Sequence, residues 1–531
     1  MARVEASNLF ELTAELVSAA SRLDKYSSDH GLADLTFDAP APDIALNLKT
    51  KPYYDARSTI IEAAEQLIRL VRGPRDVLLA LSFEHCAQAS LQVVLKHKFA
   101  LHVPLDGYTT YARISEAVEK GVSPALVERT IQHAASFGLF ETKPGGFVRH
   151  NGTSRLLVTD PDLEAWMYLS STIAYPAGAA IPGAVEKYGV SMEADEAGYG
   201  VSIGRKIAQF QRFREPDGKK DHEMFARAMR GISAGGNYDF RHAVDGGYPW
   251  ELLEEGAGHL VVDVGGGPGH VAMALAKKCP TLRFEVQDLP ETVEVGAQNC
   301  PSDIKERMDF RAHDFFTVQP QHSVNGDEGI AYFARFILHD WSDKYATKIV
   351  QALATGLRPQ DRIILNEVVV PEAGQQPREI ERRMHDRDLL MLMNLNGRER
   401  TQSAFENIFA SVTPKLRLHK IHRPQQGELS LIEAVLDTTS LDSPAGDVVN
   451  GAYGHANGVN GYANGINGHT NGVNGHTSGV NGHTNGINGH TNGINGHTNG
   501  INGHANGING VNEINGVNGD SPQANGLNTI H

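Results

Sequence analysis

The stretch His259-Leu260-Val261-Val262-Asp263-Val264 runs straight into Gly265-Gly266-Gly267-Pro268-Gly269 and then into HVAMALAKK, residues 270–278. A short apolar run, a glycine turn and a helix-period segment form the opening unit of a doubly wound α/β sheet. Glycine allows the tight turn and a close approach by ligand, and the carboxyl ends of such strands are where open α/β sheets bind ligands. The alternation continues downstream. RFEVQDL from Arg283, GIAYFARFIL from Gly329 and RIILNEVVV from Arg362 read as strands, and YATKIVQALATGL from Tyr345 reads as a helix. LRLHKIHRP from Leu416 and LSLIEAVL from Leu429 read as the antiparallel pair that closes a domain over 251–440.

The turn carries Asp263 ahead of glycines at 265, 267 and 269. A dinucleotide fingerprint G-x-G-x-x-G requires glycine at 270, where this chain has His270, which counts against a nicotinamide-dependent dehydrogenase. An uncharged glycine turn suits the methionine and ribose portions of S-adenosylmethionine, which has no pyrophosphate to cradle. Asp288 ends the next strand, where a carboxylate can accept from ribose hydroxyls; a capping Asp before Leu289-Pro290 is the plainer reading. Asp314 precedes Phe315-Phe316 at the following strand end. It is placed to accept from an adenine amino group, with Phe315 available for stacking; the plainer reading is a turn Asp beside core aromatics.

Residues 1–160 read as helical and then as a small winged unit. Apolar residues at helical spacing run through Leu9, Phe10, Leu12, Leu16 and Val17, and again from Ile60 to Val71. Tyr111–Val118 gives a short helix, Ser123-Pro124 starts another by capping, and Phe140–Arg149 reads as a hairpin turning at Pro144-Gly145-Gly146. That order is a winged helix-turn-helix, but the helix from Pro124 to Gly138 carries only Arg129 and Glu128 and no basic stripe. The charge of the chain is −15, and the tail from Leu441 has Asp442, Asp447, Glu513 and Asp520 with no Lys or Arg, so −15 less −4 leaves −11 on the body. Nucleic-acid binding runs on clustered Lys and Arg, so no nucleic-acid partner is expected. Residues 161–250 read as a helical linker and substrate-pocket region.

From Asn457 the sequence repeats every seven residues, NGVNGYA, NGINGHT, NGVNGHT and onward. One Val or Ile per repeat cannot form a coiled-coil seam, and two glycines each cost a helix about 1 kcal/mol. The expectation for 441–531 is a disordered Asn/Gly/His-rich tail; its regular histidines, His469 to His504, read as products of repeat expansion. Cys86, Cys279 and Cys300 give neither a disulfide framework nor a zinc spacing, so no metal is expected. The N-terminus lacks a signal-peptide pattern and no stretch approaches the ~18 apolar residues of a membrane span. A cytoplasmic protein without a membrane partner is expected.

VDVGGGPGH, QDLP, HDFF, RFILHDWSD and NGRERT together resemble the family of plant and fungal small-molecule O-methyltransferases of the caffeic-acid type, continuously from about Ala56 to Leu436. The resemblance implies a Rossmann-like methyltransferase sheet, an N-terminal winged-helix dimerisation domain, S-adenosylmethionine as cofactor and a small aromatic hydroxyl as acceptor. The fungal secondary-metabolite branch, with polyketide-type acceptors, is the expectation. It implies His339 as general base, with Glu367 and Glu399 orienting it. Cofactor contacts carry over to Gly265, Asp288, Asp314 and Arg335, joined by Asp263, Gly267, Gly269 and Phe315 from the motif itself. Arg335 stands where plant members often have Lys, and the loop 394–397 is one residue shorter than theirs. A histidine suits the chemistry: a phenol of pKa ~10 is mostly protonated at neutrality, and imidazole can take that proton as oxygen attacks the methyl group. Asp340 is expected to diverge from His339 as its chain neighbour. Two alternatives are a relative that binds the cofactor without transferring methyl, as a decarboxylase or hydroxylase, and a winged-helix regulator.

Overall fold

The computed structural model describes residues 8–37, 50–118, 121–424 and 427–438, together with the backbone of short segments between 452 and 509. Met1–Leu436 form one compact unit and Asp437–His531 a second.

The first unit is built on β1 (His259–Val264), β2 (Arg283–Asp288), β3 (Met308–Ala312), β4 (Gly329–Arg335), β5 (Arg362–Val370), β6 (Leu416–His422) and β7 (Leu429–Leu436). Their order is β6-β7-β5-β4-β1-β2-β3, with Arg400–Thr401 added alongside β5. Neighbours among β1 to β5 run parallel, and β7 runs antiparallel to both β5 and β6. The order reverses at β1, whose carboxyl end therefore opens into the crevice where doubly wound sheets hold ligands.

Alternation along β1 explains its uninterrupted apolar run. Leu260, Val262 and Val264 pack on one face with Ala346, Ile349 and Leu353 of helix Asp343–Ala354. Val261 packs on the other with Ala272 and Leu275 of helix His270–Lys278. A strand covered on both faces has no polar side to alternate with. Each such fully buried aliphatic side chain contributes roughly 1.5–3 kcal/mol.

The GIAYFARFIL segment, expected as one strand, stops at Arg335 because Phe336 takes a left-handed backbone (φ 56°). The apolar composition continues past the stop because Leu338 is itself fully buried in the turn that follows.

Helices Leu9–Asp29 and Lys51–Leu81 pack through Leu23, Tyr53 and Ala56, and the second is kinked at Gly73-Pro74. The winged unit forms as its capping signals predict: Leu126 N–H donates to Ser123 Oγ (3.2 Å) at the start of Pro124–Ser136, and Glu141–Lys143 pairs antiparallel with Phe147–Arg149. Thr109–Thr110 adds a third strand that the sequence did not mark, and Glu84–Lys96 is a further helix within the stretch read as helical. Between this unit and the sheet, short helices over 161–250 gather around Ala165, Leu169, Tyr199 and Phe213. Among the described residues no single helix is long and apolar enough to cross a membrane.

The side chains of the repeat tail, and its residues 439–451 and 510–531, lie outside the described residues, as does much of the disorder expected there. Its described backbone forms segments of five residues or fewer that pair in parallel. Ile466–Thr470 lies beside Val480–Thr484, and Val473–Thr477 beside Ile487–Thr491, so like residues stand opposite one another two repeats apart.

Candidate active site

The glycine turn after β1 is fastened to the end of β2. Gly265 and Gly266 N–H both donate to Gln287 O (2.8 and 3.1 Å), and Gly267 N–H donates to Asp288 Oδ2 (2.8 Å). Gly265, Gly267 and Gly269 all have positive φ. A Cβ on Gly265 would lie 2.4 Å from Ile337 Cδ1, and one on Gly266 2.5 Å from the Asp263 carboxylate, so side chains are excluded where a ligand must approach.

Asp263 is 2% exposed and sits beneath this turn, with Oδ2 unpartnered. Burial, reinforced by the charge of Asp288, pushes its carboxyl up to about 7. Asp288 is half-buried; besides Gly267, its Oδ1 accepts from Leu289 N–H (2.7 Å). The Thr292 side chain also hydrogen-bonds it; a carboxylate has about four lone-pair sites, so acceptor capacity for about one further hydroxyl donor remains. Asp314 holds its own turn, accepting from Phe316 N–H at Oδ1 (3.0 Å), and His313 N–H ties this turn to Asp288 O (3.1 Å). Phe315 reaches the glycine turn, its Cδ1 3.9 Å from the Cβ position of Gly265, and meets Trp341 at 6.1 Å between centroids. Arg335 turns its guanidinium to Tyr238 O (2.5 Å) and Ser233 Oγ (3.5 Å), leaving Nε unpartnered.

His339 lies just beyond β4, 6% exposed, in the tight turn Leu338–Asp340. Its Nδ1 pairs with Glu399 Oε1 at 2.9 Å, and its ring stacks on Phe336 (centroids 5.1 Å, planes 17° apart). Glu367, from β5, grips the backbone of the turn: its Oε1 accepts from Ile337 and Leu338 N–H (2.9 and 2.8 Å). A ring nitrogen of His339 and one carboxylate oxygen from each of Glu367 and Glu399 nonetheless lie within 4.8 Å of one another. The expected divergence of Asp340 does not hold. The turn folds its carboxylate back, and Oδ1 lies 3.4 Å from His339 Nε2. Burial works against the imidazolium, but Glu399, Asp340 and Glu367 outweigh it and push His339 up to about 9. Burial also pushes Asp340 up to about 6 and raises Glu367.

Three residues that sequence reasoning missed complete the arrangement. Arg400, 1% exposed, donates to Leu338 O and Trp341 O (both 2.7 Å) and to Asp343 Oδ1 (2.9 Å), locking the turn around the histidine. Arg387 donates from Nε to Glu399 Oε1 (2.8 Å), the oxygen that His339 also uses. Phe336, with its left-handed backbone, forms the floor under the imidazole, and strain of this kind collects at functional sites. Arg400 stood in plain view inside NGRERT and Phe336 inside RFILHDWSD; nothing in the local sequence marks Arg387. Ser342 occupies the N-cap position of Asp343–Ala354, but its hydroxyl donates to Met192 O (2.8 Å) instead of capping.

A doubly wound sheet with a switch-point glycine turn, acidic residues at the ends of β1 and β2 and a carboxylate-held histidine on the same rim define a Rossmann-like group-transfer enzyme. A family model described as an O-methyltransferase domain matches residues 256–413. The chain is 78% identical over 454 residues to O-methyltransferase CTB2 of Cercospora beticola, covering 86% of this chain and 97% of the relative. It is 55% identical over 451 residues to O-methyltransferase elcB of Phaeosphaeria nodorum, covering 84% and 99%. In fold it is similar to a crystal structure of OxaC in complex with sinefungin and meleagrin, with a TM-score of 0.61 at 19% identity, over 80% of this chain and 99% of that one. The chain belongs to the O-methyltransferase family of fungal secondary metabolism and uses S-adenosylmethionine as methyl donor.

Proposed function

We propose that this enzyme methylates a phenolic hydroxyl of a small polyketide-type aromatic, with His339 as general base. The observation that carries the reading is a buried histidine held by Glu399 on the same strand-end rim as the glycine turn. The residues present fit the cofactor: the turn lacks side chains at its approach, Asp288 keeps acceptor capacity for a ribose hydroxyl, and Asp263 Oδ2 and Arg335 Nε are unpartnered. Gly265, Gly267, Gly269 and Asp263 would line its amino-acid end, Asp288 its ribose, and Asp314 with Phe315 its adenine. When bound, the cofactor supplies an electrophilic methyl group. The chain's own part is positioning and one proton: Glu399 holds Nδ1, the Glu367-anchored turn fixes the ring, and Nε2 takes the hydroxyl proton from the acceptor. Incubation of a phenol panel with isotopically labelled S-adenosylmethionine is expected to give products heavier by one labelled methyl in place of hydrogen. A panel that yields only decarboxylated or hydroxylated products overturns the reading.

The protein works in this reading as a cytoplasmic homodimer joined through its N-terminal helices. Supporting this, Phe10, Val71, Leu78 and Leu81 are 84%, 66%, 69% and 58% exposed on the two long helices, an apolar surface unusual for a monomer. Light scattering is expected to give a dimer for the full chain and a monomer or aggregate for a chain starting at Gly152. An active dimer from the shortened chain excludes these helices as the interface.

A further inference from the structure

Arg387 lies on helix Arg378–Leu395 with its side chain only 11% exposed, beside a carboxylate that is fully buried. Its Nε and His339 Nδ1 converge on the same oxygen, Glu399 Oε1, at 2.8 and 2.9 Å, while Glu399 Oε2 has no partner. The guanidinium carbon stands 4.3 Å from the centroid of the Tyr238 ring and 4.4 Å from that of Phe336, the ring on which His339 stacks. One cation therefore braces both supports of the histidine, the carboxylate behind it and the aromatic floor beneath it. Tyr238 is fixed in turn by its hydroxyl, which donates to Glu428 Oε2 (2.7 Å).

We propose that Arg387 is a positioning residue for the base: it holds Glu399 on the shared oxygen and sets the pH at which the imidazole becomes free to accept the acceptor's proton. This inference rests on the reading of His339 as general base. The groups facing the imidazole are Asp340 from its own turn, Glu367 from β5, Glu399 from the segment after the helix, and Arg387 from the helix itself. Arg335 stands at the end of β4, and Arg400 sits against the backbone of the turn. Of these three arginines, Arg387 is the one that donates to one of the three carboxylates around the ring. Loss of the proton leaves Glu399 as a buried anion beside a neutral ring. A fixed positive charge favours that deprotonated pair over the protonated one, wherever within the pair the proton sits. Removing the charge therefore makes the proton harder to lose.

The test is the pH profile of kcat/KM for the acceptor in full-length enzyme, comparing the wild type with Arg387→Met, Arg387→Lys and His339→Ala. In Arg387→Met the rising limb is expected to move up by about one pH unit, a loss of about tenfold below the limb that recovers above it. Arg387→Lys keeps the charge but not the planar fork, and its limb is expected to move less. S-adenosylmethionine affinity by calorimetry reports that each variant is folded. If Arg387→Met does not fold, Arg387→Lys and Arg387→Gln provide the same comparison. Equal loss at every pH with the limb unmoved overturns the inference. A limb that vanishes in His339→Ala but ignores Arg387→Met leaves the base reading intact and removes only Arg387 from its role. A limb that persists in His339→Ala overturns both.

Discussion

Replacing His339 with alanine is expected to lower kcat about 10²–10⁴-fold on a phenol of ordinary acidity, the usual contribution of a positioned general base. The ring lies beyond β4, held by Glu399 at one nitrogen, so its loss removes the proton acceptor without touching the glycine turn or Asp288. Affinity for S-adenosylmethionine is therefore expected to stay close to wild type by calorimetry. The pH dependence follows from the charges around the ring. His339 is pushed up to about 9, above its ordinary range, so the free base is scarce at neutrality and its fraction grows as pH rises. The wild-type rate should climb through that range, and His339→Ala should lack the climb. An acidic phenol, already ionised at assay pH, needs no base and should lose little in the variant. Near-full turnover by His339→Ala on a phenol of pKa ~10 would show that the histidine is structural and that proximity drives the transfer.

Asp288→Ala is expected to weaken S-adenosylmethionine binding about ten- to a hundredfold, since hydrogen bonds to a charged acceptor contribute roughly 1.5–3 kcal/mol. The carboxylate is also what fastens Gly267 N–H to the end of β2, so its removal both deletes an acceptor and loosens the turn. Asp288→Asn separates the two effects: it retains one acceptor oxygen for the turn but loses the charge. Calorimetry of all three proteins decides the matter. Unchanged affinity in Asp288→Ala rules out this placement of the ribose.

The central strands of the sheet were legible because they are buried on both faces. RIILNEVVV reads as a strand and is one over its full length, Arg362–Val370. The winged unit was legible through capping: Ser123, with Pro124 behind it, marks a helix start that no propensity scale would place so closely. The site was legible in its motif-bearing parts, which are local in sequence: the glycine turn, Asp288, and His339 with its turn. What remained hidden depends on pairs far apart in the chain. Nothing near Arg387 announces that it meets Glu399, twelve positions on, or that Tyr238 lies against it. The approach of Asp340 to His339 was misjudged for the opposite reason, because a tight turn brings neighbours together where extended backbone would separate them. The early stop of β4 was hidden because the buried turn after it is as apolar as the strand.

Glu399 and Arg400 are chain neighbours that serve opposite sides of the same histidine: one takes its ring nitrogen, the other the carbonyls of its turn. Arg400 begins the two-residue strand that pairs with β5 and Glu399 directly precedes it, and just before them Gly397 is packed so tightly that a Cβ would fall 2.3 Å from His339 O. Along extended chain a shift of one residue exchanges the two sides, so a single insertion between Gly397 and Arg400 would present the wrong side chain to each. Upstream the chain is tied as well: Gly397 N–H donates to Met391 O (3.2 Å), Asn396 N–H to Leu392 O (3.1 Å) and Glu399 N–H to Asp388 Oδ1 (2.9 Å), so the connection is fixed to the end of the helix that carries Arg387. Any exchange of this connection among related enzymes therefore has to keep its length from Met391 to Arg400, because both ends of the histidine's support are measured along it.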